Sequence, residues 1–105
     1  MEKLSFRLSS PNSAGGTRTQ AIVGVVASGN LEVLLERTSP ADVCTIEIAT
    51  AAHGFGLVWD AVVRDFAARR SAGGLRISIN DGGARPDTVA LRLAQGVRKI
   101  EEPEQ

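Results

Sequence analysis

The sequence is poor in thiol and imidazole side chains, with one cysteine, Cys44, and one histidine, His53, in 105 residues. A single cysteine excludes an internal disulfide, and this pair is too small a set for a zinc site with recognisable spacing. We therefore interpret Cys44 as a buried, unreactive core residue of a cytoplasmic protein. His53 lies among the small residues of 51–56, and we interpret it as a loop histidine rather than a general base.

The chain also lacks an excess of charge of either sign and any long apolar run. It has 12 Lys and Arg against 12 Asp and Glu, so there is no basic surplus to favour nucleic-acid binding. Its apolar runs are too short to cross a bilayer, and the N-terminus lacks the hydrophobic part of a signal peptide. We therefore predict no nucleic-acid or membrane partner. No paired carboxylates, nucleophile–base pair or metal cluster is visible, which makes a small enzyme the weakest interpretation.

The apolar residues that are present predict five strands and two helices in the order ββββαβα. Alternation of apolar and polar residues indicates strands with one buried face at 1–8, 31–38, 43–50 and 75–80. A nearly continuous apolar run, Gln20–Ala27, predicts a strand in a central position or with both faces covered. Gly24 within that run marks a close backbone approach or a bulge. Helical spacing predicts helices at 57–70 and from about 87 to 100.

We expect a single domain, 1–105, with an α+β fold. The predicted architecture is a two-layer sandwich, in which two helices cover one face of a mainly antiparallel, five-stranded sheet. Residues 9–19 are rich in Ser, Gly, Pro, Asn and Thr and have no periodicity, which predicts a mobile surface loop. Residues 101–105 are predicted to form a frayed polar tail.

One stretch, residues 23–35, points to a function. Two apolar, β-prone runs flank Ser28, Gly29 and Asn30, and the Gly-Asn pair is typical of a tight turn. The pattern predicts a β-hairpin with Ser28 at its tip, where the small neighbours Ala27 and Gly29 leave the hydroxyl accessible. On the pattern alone, most serines in such turns only bond to the backbone.

The segment VGVVASGNLEVLLE, Val23–Glu36, resembles the attachment site of the acyl carrier (delta) subunit of bacterial malonate decarboxylase. A second block, ISINDGGARP at Ile77–Pro86, and the run Val89–Leu93 that follows it resemble the C-terminal signature of the same subunit. The two motifs occur in the family's order, and the length also fits. The resemblance implies that Ser28 carries phosphoribosyl-dephospho-coenzyme A, attached through a phosphodiester.

The resemblance further implies a non-catalytic carrier. The arm's terminal thiol holds an acetyl group, which is exchanged for malonyl, and decarboxylation then restores the acetyl thioester. The implied partners are the acyl transferase and decarboxylase subunits, a malonyl transferase and the prosthetic-group transferase. From turn geometry, we expect the amides of Gly29 and Asn30 to form a small anion-binding nest. Ala27 and Asn30 stand where the family most often has Gly and Asp, which bears on recognition by the loading enzyme.

Two other classes of protein stay open. One is the related carrier subunit of citrate lyase, which uses the same prosthetic group on a Ser-Gly turn, although the Ile-Asn-Asp-Gly block favours the malonate system. The other is an interaction module whose hairpin docks without modification. The common acyl carrier proteins are helix bundles with an Asp-Ser-Leu motif at a helix start, and this sequence has no such motif.

Three further features have both a structural and a functional interpretation. Asn80 and Asp81 are compatible with turn chemistry or with contact to the arm or a partner. Trp59 has helical spacing and is interpreted as a core residue. The remaining feature is a basic cluster, interpreted as a solvated helix face with docking to an acidic partner or to phosphates as the weaker alternative. Its members are Arg64, Arg69 and Arg70.

Overall fold

The computed structural model describes residues 2–24 and 31–102, which contain five strands and two helices. The elements are β1 (Glu2–Ser9), β2 (Gln20–Val23), β3 (Leu31–Glu36), β4 (Val43–Thr50), α1 (Gly56–Arg69), β5 (Arg76–Asp81) and α2 (Pro86–Glu101). The predicted order ββββαβα is therefore confirmed. The predicted boundaries differ by one or two residues, except at the end of β2, where residues 25–27 lie outside the described part.

All the strands belong to one sheet with the order β1-β4-β5-β3-β2. Three neighbouring pairs are antiparallel, namely β1–β4, β3–β5 and β2–β3. The β4–β5 pair is parallel because α1 carries the chain back across the sheet between them. The expected fold class, an α+β fold with a mainly antiparallel sheet, is confirmed.

The predicted central position of β2 is wrong, because β2 is an edge strand that pairs only with β3 among the described elements. Its side chains alternate, with Ala21 and Val23 buried and Gln20 exposed. Ile22 is 49% exposed and lies opposite Leu34 on the open face of the sheet. The apolar run therefore reflects a cross-strand apolar pair on the open face rather than cover on both faces.

The core lies between the sheet and the two helices. The inward residues of the strands are buried as the alternation predicted, except Leu4 and Phe6 of β1, which are partly buried. Helix α2 buries Val89, Leu93, Val97 and Ile100. Helix α1 buries Trp59, Val63, Phe66 and Ala67, whereas Arg70, predicted on this stripe, follows the helix end and is exposed. These buried side chains supply the apolar area that stabilises the sandwich.

Gly96 has a packing reason that the sequence did not indicate. A Cβ added at Gly96 would lie 2.5 Å from Cδ1 of Leu35, a fully buried side chain of β3. The absence of a side chain thus lets α2 approach β3 closely, and this contact offsets the helix propensity that glycine loses, about 1 kcal/mol relative to alanine.

The segment 10–19 packs against the domain instead of lying wholly on its surface. Ser10 and Ala14 are buried, and the backbone amide of Ala14 donates to the carbonyl of Gly73 at 2.9 Å. The guanidinium of Arg37 donates to the carbonyl oxygens of Ala14, Gly15 and Arg18. One arginine therefore satisfies several loop carbonyls, which composition alone does not reveal. The mobility predicted for 9–19 stays a prediction.

Asp81 joins three elements at the end of the sheet. Its buried carboxylate accepts hydrogen bonds from Oγ1 of Thr50 at 2.7 Å and from the backbone amide of Ala84 at 2.8 Å. The hydroxyl of Thr50 in turn accepts from the amide of Ala52. Asp81 therefore fixes the end of β4, the end of β5 and the turn before α2, so its turn-chemistry interpretation has a direct structural basis.

We expect Asp81→Ala to lower the free energy of unfolding by about 2–4 kcal/mol, because two hydrogen bonds to a buried carboxylate are lost. Urea denaturation measures the effect. The matched control is Asp65→Ala, which removes an exposed ion pair to Arg69 in α1 and is expected to cost less than about 1 kcal/mol. Equal losses in the two variants would contradict a special role for Asp81.

Candidate functional site

The predicted site residues Ser28, Gly29 and Asn30 lie outside the described residues, as do all positions from 25 to 30. The accessibility of the Ser28 hydroxyl and the anion-binding nest of Gly29 and Asn30 therefore stay predictions. The structure describes the two strands on either side of this segment and the end of the sheet to which they lead.

The flanking strands pair as the hairpin prediction requires. β2 and β3 are adjacent and antiparallel, with Gln20 opposite Glu36 and Val23 opposite Val33. The backbone amide of Arg37 also donates to the carbonyl of Thr19 at 3.0 Å. The segment 25–30 therefore connects two directly hydrogen-bonded strands, which confirms the pairing expected for them.

Several elements meet where β3 begins, and we refer to this region as the Leu31 end of the sheet. Leu31 pairs with Asp81, the last residue of β5, and Asp81 pairs with Thr50, the last residue of β4. Glu2, at the start of β1, lies opposite Thr50. Both helices begin within a few residues of this end, so the segment after Gly24 connects at the same end as the helix starts.

Gly24 makes the close backbone approach that its position in the sequence indicated. Its φ is +74°, and a Cβ added there would lie 2.5 Å from the carbonyl oxygen of Leu31. The left-handed conformation and this contact together exclude any L side chain without strain. Glycine at position 24 therefore lets the end of β2 lie directly beside the start of β3.

An apolar surface lies at the Leu31 end, formed by Phe55, Leu57 and Val58, which are 50%, 88% and 41% exposed. Phe55 and Val58 also line a cavity of about 280 Å³. Its other apolar lining residues include Trp59, Val62, Ala84, Pro86 and Val89. We call Phe55, Leu57 and Val58 the apolar patch.

The sequence contains a pattern that indicates this patch, in addition to the helical spacing of the core residues. Residues 57, 58 and 59 are consecutive apolar residues, and successive positions on a helix are about 100° apart. Since one covered face cannot accommodate three such positions, some of them must be exposed. Trp59 is the one that is buried, as its core interpretation required.

The other polar candidates have structural partners or exposed positions. Arg64 and Arg69 pair with Asp60 and Asp65 one helical turn earlier, which supports their interpretation as a solvated face. His53 is exposed in the loop between β4 and α1.

Cys44 is fully buried, and this burial raises the pKa of its thiol to about 12, so it is unreactive at neutral pH. Within residues 2–24 and 31–102, no group of His, Cys, Asp or Glu is arranged to hold a metal ion. No helix in those ranges is long and apolar enough to span a membrane.

The fold and the candidate segment define a class of small α+β domain in which the segment of interest joins an edge strand to its neighbour. Comparison with known proteins gives the family. The model of the malonate decarboxylase delta subunit (MdcD) matches residues 18–100. The chain belongs to that family.

Individual relatives agree over nearly the whole chain. The malonate decarboxylase acyl carrier protein of Bradyrhizobium diazoefficiens is 65% identical over 102 residues, or 97% of each chain. The protein of the same name from Xanthomonas campestris pv. campestris (strain B100) is 55% identical over 97 residues, or 92% of each chain. A chain in the crystal structure of a Pseudomonas malonate decarboxylase hetero-tetramer in complex with malonate has a TM-score of 0.79 and 37% identity, and the match covers 95% of this chain and 99% of that one.

We expect Gly24→Ala to cost about 2–4 kcal/mol of unfolding free energy, because a Cβ would add a backbone clash to the cost of the left-handed conformation. Gly54→Ala is the matched control. Gly54 has a φ of +84° but nothing within 4 Å of an added Cβ, so only the conformational cost, about 1 kcal/mol, applies there. Denaturant unfolding compares the two variants, and equal costs would show that the contact with Leu31 is unimportant.

Proposed function

We propose that this chain is the acyl carrier subunit of a malonate decarboxylase and that Ser28 carries phosphoribosyl-dephospho-coenzyme A through a phosphodiester. The observation that carries the proposal is the family match over residues 18–100, which includes the motif around Ser28. The paired strands β2 and β3 support it, since they hold both ends of the attachment segment in one place.

The described residues near this segment suit an anionic group. The Nε–H of Arg92 is buried and has no hydrogen-bond acceptor among the described residues. A Cβ added at Gly24 would lie 3.7 Å from this nitrogen, so the guanidinium is adjacent to the residue where β2 leads into the segment. A buried donor without a partner is unusual, and a phosphodiester oxygen is a strong acceptor for arginine.

When bound, the prosthetic group supplies a thiol that holds an acyl group as a thioester. The chain itself supplies the acceptor hydroxyl of Ser28 and a rigid base for the arm, and it needs no acid–base residue of its own. A tethered acyl group has a high effective concentration at each partner active site, which is the carrier's contribution to the rate.

The apolar patch is the surface that we propose for docking a partner subunit of the decarboxylase. Its residues lie at the Leu31 end, to which the attachment segment also connects, so a subunit seated there would have Ser28 within reach. Exposed Phe and Leu side chains next to an apolar cavity are typical of protein interfaces. The similar chain of known structure comes from a hetero-tetramer, which supports assembly with other subunits.

Intact mass spectrometry of the protein co-expressed with its loading enzymes tests the attachment. We expect an added mass equal to the prosthetic group in the wild type and none in Ser28→Ala. The matched control is Ser9→Ala, at an exposed position in β1, which should be loaded like the wild type. An unmodified wild type that still binds its partner subunits would favour the interaction-module alternative.

We expect Leu57→Asp to weaken binding to the partner subunits by about tenfold to a hundredfold, because a charge would be buried in an apolar interface. Titration of the partner subunits by calorimetry measures the change. Leu91→Asp is the matched control, since Leu91 is 54% exposed on α2 and is not part of the apolar patch. The docking surface lies elsewhere if both variants bind with wild-type affinity.

A further inference from the structure

A groove runs between the edge strand β2 and helix α2. It has a volume of about 460 Å³ and is lined by Ile22, Val23, Gly24, Gln95, Arg98, Lys99 and Glu102. Gly24 lies at one end of the β2 wall, next to the attachment segment. The groove therefore starts at the residue from which the chain leads toward Ser28.

The α2 wall of the groove is basic. Arg98 and Lys99 line it, and Arg92 lies beside it, since the Arg92 guanidinium bonds to Gln95 and lies close to Gly24. In the part of the chain that the structure describes, none of these three cations forms an ion pair, and Glu102 is the one carboxylate in the lining. The groove therefore has a net positive charge available for an anion.

Two of the basic side chains are already held in place by the fold. Nζ of Lys99 donates to the carbonyl oxygen of Ile22 at 2.9 Å, which fixes the ammonium at the β2 edge. Nη1 of Arg92 donates to Oε1 of Gln95 at 3.1 Å, which orients the guanidinium but leaves its buried Nε–H without an acceptor. Donors that are already positioned lose less side-chain entropy on binding than free ones, so the entropic cost of binding an anion in this groove is reduced.

We propose that this groove, with Arg92 at its Gly24 end, holds the phosphates of the prosthetic arm between acyl transfers. The inference rests on the proposed function. That group has two anionic parts, the phosphodiester to Ser28 and the pyrophosphate of its dephospho-coenzyme A portion. Arginine binds phosphate oxygens through pairs of N–H donors, and lysine binds them as a point charge.

The dimensions suit this assignment. Ser28 is four residues after Gly24, and four residues span at most about 14 Å in any conformation. Arg92 and Lys99 are seven residues apart on one helix, or about 10 Å along its axis. An arm attached at Ser28 can therefore place its phosphodiester near Arg92 and its pyrophosphate farther along the groove. Docked in this way, its phosphates would contact the cations of the groove.

Cleavage of the arm by a nucleotide pyrophosphatase tests the proposal on the loaded, mass-verified protein. We expect Arg92→Gln/Arg98→Gln to lose the pantetheine-bearing fragment about tenfold faster than the wild type, because cleavage requires the undocked arm and charged hydrogen bonds keep it docked. The matched control is Arg64→Gln/Arg69→Gln on α1, away from the groove, which should be cleaved at the wild-type rate. Intact mass spectrometry over time measures the loss of this fragment from each protein.

A second measurement needs no enzyme. The ³¹P chemical shifts of the loaded protein should change in the groove variant and stay constant in the α1 variant. Thermal unfolding checks that each variant is folded. If the double variant does not fold, the single variant Lys99→Gln replaces it in both measurements. In the cleavage experiment, the unfolded, loaded wild type gives the reference rate for an arm that is not docked.

The outcomes separate the two proposals. A loaded wild type that is cleaved as fast as the groove variant, with identical ³¹P shifts, overturns the groove assignment and leaves the carrier function intact. A wild type with no added mass at Ser28 overturns both.

Discussion

The hydrogen bonds of the Asp81 carboxylate hold together the Leu31 end of the sheet. The carboxylate accepts from the hydroxyl of Thr50 and from the amide of Ala84, and these bonds tie two parallel strands to the turn that precedes α2. Because Leu31 pairs with Asp81, the start of β3 has the same anchor. The start of β3, the end of β4 and the turn before α2 are therefore linked through this one buried side chain.

A carrier built on a sheet has to stabilise an attached phosphate differently from a helix bundle, where the start of a helix favours the anion. Here the segment with Ser28 connects two strands, so the proposed sources of positive charge are neighbouring side chains and the predicted nest of the Gly29 and Asn30 amides. The side chains that we propose for this role are Lys99, which bonds to the Ile22 carbonyl of β2, and Arg92, which lies close to Gly24. The apolar patch lies on the start of α1, so the proposed surfaces for the arm and for a partner subunit are on different helices.

Local pattern predicted most of the fold because each strand after β2 has one polar and one covered face. The alternation of Cys44, Ile46 and Ile48, for example, matched the burial of β4. The predicted position of β2 was wrong because an apolar residue such as Ile22 can pair with Leu34 on the open face of the sheet. An apolar run therefore does not distinguish an edge strand from a central one. In the sequence, Arg92 stands out only as part of the run Val89–Leu93. Its unsatisfied Nε–H becomes visible only when α2 packs beside Gly24, which is far away in the sequence.

The contact between Lys99 and the carbonyl oxygen of Ile22 also affects how this domain can associate. The amide of Arg37 bonds to the carbonyl of Thr19, so alternate carbonyls of β2, including that of Ile22, point away from β3. An edge carbonyl of this kind is what a foreign strand uses to extend a sheet. With an ammonium group bound to it, and only four residues in the strand, strand addition at this edge is disfavoured. The domain can thus contact other proteins without adding their strands to its sheet.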